Sequence, residues 1–475
     1  MNPRHLNRRS SLKALSSGFG YLAFASLAHR TWATQASSKP GPLSPRPTHF
    51  TARAKRVIFL CMQGGPSHLD TFDYKPTLNK NNGKTADFAN ARGARLLGSA
   101  SRFSRYGQSG LLISDLYRKV AEHADDLCIL NARTTDLPNH PQAFTQMHTG
   151  SFQFVRPSLG AWSLYGLGTE NTNLPGFITI NPPSGLGGSR NYGSSFLPAV
   201  YQGTKISAGG GLGGGLIRRQ TGNRQRQAVD NIANLHLDRE LQRSQLDLIR
   251  AMNRSKLNRD GHQPEIEGII ESFELAFRMQ DEIPELLDIE REPQQIRELY
   301  GIGSSDQRMA NFGRQCLMAR RFAEAGVRFI EVGYNGWDHH RNLQASLERD
   351  CGATDQPIAA LLTDLKQRDL LEDTLVIWGG EFGRTPYSQG SDGRDHNNKG
   401  FSMWMAGGGV KGGTIHGATD ENGYAAVEGK MDTHDWHATI LHLLGLDHER
   451  LTYNYAGRDF RLTDVYGRVA HEIIA

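Results

Sequence analysis

Short apolar runs recur along the chain at 57–62, 127–130, 177–180, 327–332, 375–378 and 401–406, each closed by glycine or polar residues. They are continuous rather than alternating, which predicts strands buried on both faces. Segments of helical period precede several of them: 115–125, 311–325 and 357–366. A further helix is predicted after Pro138. Another starts at Asp432-Thr433 and carries Ile440, Leu441, Leu443 and Leu444 into the core. Helix–strand alternation of this kind predicts an α/β fold with a mostly parallel central sheet covered on both sides.

Residues 205–310 break that rhythm. A glycine tract at 209–215 opens a polar stretch in which Ile232, Leu235, Leu237, Leu241, Leu246, Leu248 and Ile249 fall roughly at helical spacing. The pattern predicts an inserted helical subdomain, set either as a cap over the site or against the sheet. The core is then split into 56–204 and 311–475. Residues 37–55, rich in Pro, Ser, Lys and Arg, read as a linker.

At the start, Arg8-Arg9 precede a mildly apolar run over 14–28, then small residues with Ala33 and Ala36 as cleavage points. This order is similar to a bacterial twin-arginine signal peptide over 1–36, and implies a periplasmic or secreted protein. The run is too short and too rich in Gly and Ser to make a comfortable membrane span, so no stable membrane insertion is expected once the signal is removed.

Composition adds bounds. At 475 residues, 38% hydrophobic and 22% charged, the chain can bury a large core. The net charge of +5 is concentrated near the N-terminus, so charge implies no nucleic-acid partner. The four cysteines, Cys61, Cys128, Cys316 and Cys351, form no CxxC pair. Cys61 and Cys128 lie in apolar runs, where a buried thiol is the ordinary state.

Four loops carry candidate chemistry. The first, after 57–62, holds Gln63, two glycines, Ser67, His68 and Asp70. Its hydroxyl and acid equally suit a helix cap. The second holds Thr134, Thr135, Asp136, Asn139 and His140 before a helix start, where a hydroxyl can attack or an oxyanion can bind. The third is Asp338-His339-His340, one carboxylate and two imidazoles, a mix suited to a divalent cation. The fourth runs from Glu381 through Arg384 to Asp395-His396-Asn397. Arg384 is placed either to clamp an anion or to brace the loop through Glu381. Farther on, His434 at a helix start is a further candidate to face the site.

The motifs GGPSHLDTFD, MHTG, RPSLGAW, GGEFGRTP, GRDHNNKG and GRDFRLTDVYG occur in order. On these the chain resembles the domain-of-unknown-function family 1501, sulfatase-like proteins of the alkaline phosphatase superfamily, over 56–475. The resemblance implies an alkaline phosphatase-like α/β/α sandwich. It also implies divalent metal binding (Zn, Mn, Ca or Mg) by Asp338, His339 or His340, Glu381 and His396, with Gln63 where the superfamily has an acid. Asp136 falls where phosphodiesterases carry a nucleophilic Thr. Phe382 replaces a ligating His, and there is no sulfatase-type cysteine motif.

The expected function is an exported metal-dependent hydrolase of sulfate or phosphate esters, acting on a small molecule or polysaccharide. Thr135 or Ser67 is the expected nucleophile. Arg384, Asn139, His140, Asp70, His68 and Asp395 are expected around the substrate. The alternative, motivated by Gln63 and Phe382, is a non-catalytic binding or assembly protein on a degenerate fold. A mutase or transferase on the same fold is a third reading.

Overall fold

The computed structural model describes residues 41–207, 237–260 and 263–475. The export signal read over 1–36 and the glycine tract at 209–215 lie outside the described residues. The central sheet has eight strands, numbered here in chain order: β1 Arg56–Gln63, β2 Leu127–Arg133, β3 Phe177–Ile180, β4 Thr204–Ile206, β5 Phe329–Asn335, β6 Thr374–Gly379, β7 Phe401–Ala406 and β8 Thr414–His416. Their spatial order is β8-β2-β7-β6-β1-β5-β3-β4. Strand β7 is antiparallel to β6 and β2, and the other pairings are parallel. The α/β class and mostly parallel sheet expected from the apolar runs are those observed.

The direction of β7 has a simple cause. A parallel neighbour needs a crossover that returns the chain to the opposite edge. After β6 the chain instead folds an antiparallel hairpin, Gly383–Gln389 with Gly393–Asn397, and re-enters the sheet from the edge it has just left.

The longer helices are α1 His140–Thr149, α2 Leu159–Leu167, α3 Arg239–Asp260, α4 Pro264–Leu287, α5 Gln307–Glu324, α6 Leu343–Gln367 and α7 Thr433–Leu443. They cover both faces, because successive strand residues point to opposite sides. On one face, Phe59 of β1 meets Trp436 of α7 and His148 of α1, with ring centroids 5.7 and 6.0 Å apart. On the other, Trp378 of β6 packs on Tyr117, whose hydroxyl reaches Thr354 of α6 at 3.1 Å. The result is a three-layer sandwich with both faces of the central strands buried. Asp432 begins α7 with a capping box shared with Asp435, which satisfies first-turn donors.

The helical segment is a hairpin of α3 and α4, pinned by Arg243 on Glu274 at 2.7 and 2.8 Å. Through Glu282 and Arg278, α4 bonds Asn171, Thr172 and Asn173, which precede β3. These contacts lie at the amino edge of the parallel strands, so the described part of the hairpin does not cap their carboxyl ends. Residues 42–55, read as a linker, are packed instead. Leu43 and Ala54 are buried, and the Arg46 backbone N–H donates to Leu167 O at 2.9 Å. Two small apolar anchors and a string of backbone bonds tie down a segment whose composition alone suggests a tether. Among the described residues, no helix is long and apolar enough to cross a membrane.

Candidate metal centre

Four loops converge beyond the carboxyl ends of β1, β2, β5 and β6, the edge where open α/β sheets hold ligands. The loop after β2 leads into α1 and places His140 at its first position. The loop after β5 carries Asp338 and His340. The hairpin after β6 sets Arg384 directly across from His396. Gly64, just past β1, lies against the turn bearing Asp338. A Cβ there would stand 2.6 Å from Asp338 N, and its φ of +113° is one that favours glycine.

At the centre, ligand atoms of His140, Asp338, His340 and His396 all lie within 4.8 Å of one another. Asp338 Oδ1 is 2.8 Å from His340 Nε2, 3.2 Å from His140 Nε2 and 3.3 Å from His396 Nε2. The other nitrogen of each ring is committed to an acceptor. His140 Nδ1 faces Glu381 Oε1 at 2.6 Å, His396 Nδ1 faces Pro138 O at 2.9 Å, and His340 Nδ1 faces Gln389 Oε1. Each of those acceptors calls for an N–H on Nδ1, which turns the Nε2 lone pair of a neutral ring inward. Such outer partners fix ring orientation and tautomer in metal sites.

The donor set therefore fits a cation. Three inward lone pairs and a carboxylate oxygen share one small volume, in which buried His140 Nε2 faces Asp338 Oδ1 at 3.2 Å. Without a cation, protons must take its place. Burial disfavours a charged His140, but hydrogen bonds to Asp338 and Glu381 outweigh it and raise its pKa to about 9. Burial likewise opposes ionisation of Asp338. Contacts from His140, His396 and Arg384 nevertheless hold its carboxyl well below the usual range.

The surrounding residues support this centre in distinct ways. Glu381 is buried and also accepts from Gly64 N at 3.2 Å, so it braces His140 rather than joining the four. Phe382 packs under two of the rings, 4.7 Å from His140 and 4.6 Å from His396. Arg384 is fully buried. It donates to Asp338 Oδ1 at 2.6 Å and to the carbonyls of Gly64, Gly65, Trp337 and Arg394. A guanidinium so occupied positions Asp338 and is not free to clamp an anion.

Several residues singled out from the sequence sit elsewhere. His339 is buried and bonds Asp350 Oδ2 at 2.9 Å, because adjacent residues of the turn point oppositely and only His340 faces the centre. Gln63 turns toward Asn181, donating to its carbonyl at 3.4 Å. Ser67 is fully buried and donates to Asp70 Oδ2 at 2.5 Å, while Asp70 pairs with buried Arg394 at 2.9 Å. His68 is buried against Gly423 O at 2.8 Å. These three belong to the wall of the fold. Thr135 is buried and donates to Gln146 Oε1 at 2.9 Å. Asp395 accepts from the backbone of His396 at 2.8 Å, and His434 faces Gly150 O at 2.9 Å. Asn139, next to His140 in the chain, and Asp136 remain exposed, with Asp136 Oδ2 held by Gln146 at 2.7 Å. His140, read as a substrate contact, is instead a member of the central four. Its position at a helix start gave no sequence sign of that.

Fold and centre together define an α/β sandwich protein with a histidine-rich cluster at the carboxyl edge of its sheet. The chain belongs to the family described as protein of unknown function (DUF1501), whose model matches residues 54–474. No curated protein matches the chain. Similar solved structures include the lipoteichoic acid synthase LtaP from Listeria monocytogenes, at 8% identity and TM-score 0.36, covering 88% of this chain and 78% of that one. A mutant TAB5 alkaline phosphatase with Mg bound matches at 10% identity and TM-score 0.34, covering 83% and 99%. The PsFucS1 sulfatase from Pseudoalteromonas sp. matches at 12% identity and TM-score 0.34, covering 84% and 69%. Overlays this loose carry no statement about chemistry.

Proposed function

We propose that the protein is a metal-dependent hydrolase of sulfate or phosphate esters, built on a single histidine-rich centre and working outside the cytoplasm. The observation that carries this reading is the convergence of three Nε2 atoms on Asp338 Oδ1, each ring held from behind. His140, His340, His396 and Asp338 would hold the ion. Three imidazoles and one carboxylate favour zinc-like cations over Ca or Mg, which prefer oxygen ligands. When bound, such an ion supplies a Lewis acid and lowers the pKa of water.

The chain's own residues do the rest. Glu381 and Arg384 keep His140 and Asp338 in place. In this reading Asn139, exposed at the start of α1, would orient an ester oxygen with help from the helix dipole. Asp136, exposed and held by Gln146, would take a proton from attacking water. Water is the nucleophile in this reading, since Thr135 and Ser67 are both buried and engaged. The test is hydrolysis of aryl sulfate and aryl phosphate esters by zinc-reconstituted protein. Turnover that is lost in His396→Ala is expected; absence of turnover on both ester classes sinks the reading.

A second reading has its own support. The burial of both candidate hydroxyls, with Gln63 turned away, also suits a metal-stabilised binding protein. It predicts that metal removal lowers the melting temperature and nothing else.

A further inference from the structure

Beneath α1, on the face of the sheet that Phe59 shares, three other side chains meet. Cys61 comes from β1, Glu331 from β5 and His148 from the last turn of α1. Their ligand atoms lie within 4.8 Å of one another, and all three residues are buried, at 0%, 1% and 5% exposure. His148 Nδ1 lies 2.8 Å from Phe144 O, which can only accept, so Nδ1 carries the proton. That leaves Nε2 3.1 Å from Glu331 Oε2. A neutral imidazole would there set its lone pair against a carboxylate oxygen. Glu331 Oε1 is buried with no hydrogen-bond partner, and so is Thr179 Oγ1 on the residue directly opposite Glu331 in β3. Buried polar atoms are seldom left unpaired, because the loss of water is then uncompensated. The layer around them is otherwise apolar and aromatic, with Phe59 and Phe144 against the His148 ring.

We propose that Cys61, His148 and Glu331 form a second, fully buried site for one divalent cation of the zinc class, separate from the His140–Asp338–His340–His396 centre. Thiolate, imidazole and carboxylate are the ligands zinc takes, and a thiolate selects against Mg and Ca. The charges balance: the thiol proton leaves to solvent as the sulfur–metal bond forms. Thiolate, carboxylate and dication then sum to zero around a neutral imidazole, which suits a site without water. The unpartnered Glu331 Oε1 is available as a further contact. The site ties together β1, β5 and α1, the elements that present Gly64, Asp338 and His140. His148 and His140 are separated by about 12 Å along α1, so the role is structural and the reacting centre is not shared.

The test uses the full chain produced with cobalt as the added transition metal. The outer centre has no sulfur ligand, so a thiolate-to-cobalt charge-transfer band in the near ultraviolet reports the buried site alone. The expected result is a band in the wild type that is lost in Cys61→Ala, with metal content falling by one ion per chain. The band persists in Cys128→Ala and in His396→Ala. If Cys61→Ala fails to fold, His148→Gln serves in its place and is expected to abolish or shift the band. Wild-type protein with no such band, and a metal content equal to that of the variants, would overturn the proposal in favour of a proton-bridged His148–Glu331 pair.

Discussion

The Nε2 atoms of His340 and His396 stand 3.0 Å apart, while the Nδ1 atom of each ring faces an acceptor on its far side. Two neutral rings held this way present lone pair to lone pair, an arrangement that a shared cation relieves. Asp338 Oδ1 and His140 Nε2 complete the same small volume. Cation binding at this centre depends on the groups that hold the rings and Asp338 in place.

Glu381 acts through His140. Glu381→Gln keeps an acceptor for Nδ1 but removes the charge behind the ring. Zinc affinity should fall about 10–100-fold. Competition with a chromophoric chelator measures it; an unchanged affinity would remove Glu381 from the support of the centre.

Arg384 is a brace for Asp338 and four loop carbonyls. Arg384→Met strips their donors, and each loop carbonyl left buried and unpaired costs about 1–3 kcal/mol, while half-exposed Asp338 can turn to water. Urea denaturation of the metal-free protein reads this directly. An anion clamp would behave differently: stability would hold and only ester or sulfate affinity would drop.

Ser67 is buried beside Asp70 and has no path to substrate. Ser67→Ala should cost about 1.5–3 kcal/mol through the lost hydrogen bond to the Asp70 carboxylate, whose Oδ2 keeps its bond from Arg394 Nε at 2.9 Å, while ester turnover persists. Turnover abolished in a stable Ser67→Ala protein would make the hydroxyl a nucleophile after all.

His437 carries a pH signature. Burial, the largest influence, pushes its pKa down to about 3, with Nε2 facing Met147 O at 2.8 Å. Below its ordinary value near 6.5 the unfolded chain binds a proton that the folded chain refuses. Stability from this residue is therefore full at neutral pH and is lost progressively as pH falls from about 6.5 toward about 3. Unfolding free energy followed across that window should flatten in His437→Gln.

Much of the fold was legible in the sequence. All six apolar runs are strands of the central sheet, because residues buried on both faces need unbroken hydrophobicity. The three-residue edge strands Thr204–Ile206 and Thr414–His416 were not legible, since so short a run has no period to read. The helix after Leu343 is much longer than its predicted 357–366, as Pro357 sits within it rather than at its start. At the site, Asp338, His340 and His396 stood out as ligand types after strands. His140 did not, because only the folding of the Gly383–Asn397 hairpin brings His396 beside it. Nor could sequence separate His339 from His340, or foresee that Ser67, Asp70 and His68 would be walled in. Those distinctions depend on which way a turn residue faces, which spacing does not encode.

The most direct measurement is an anomalous difference map at the zinc edge from crystals of the zinc-loaded protein. The expected result is a peak bounded by His140 Nε2, His340 Nε2, His396 Nε2 and Asp338 Oδ1, absent from His396→Ala crystals. Density with no peak among those four atoms, at zinc concentrations that saturate the protein in solution, would contradict it.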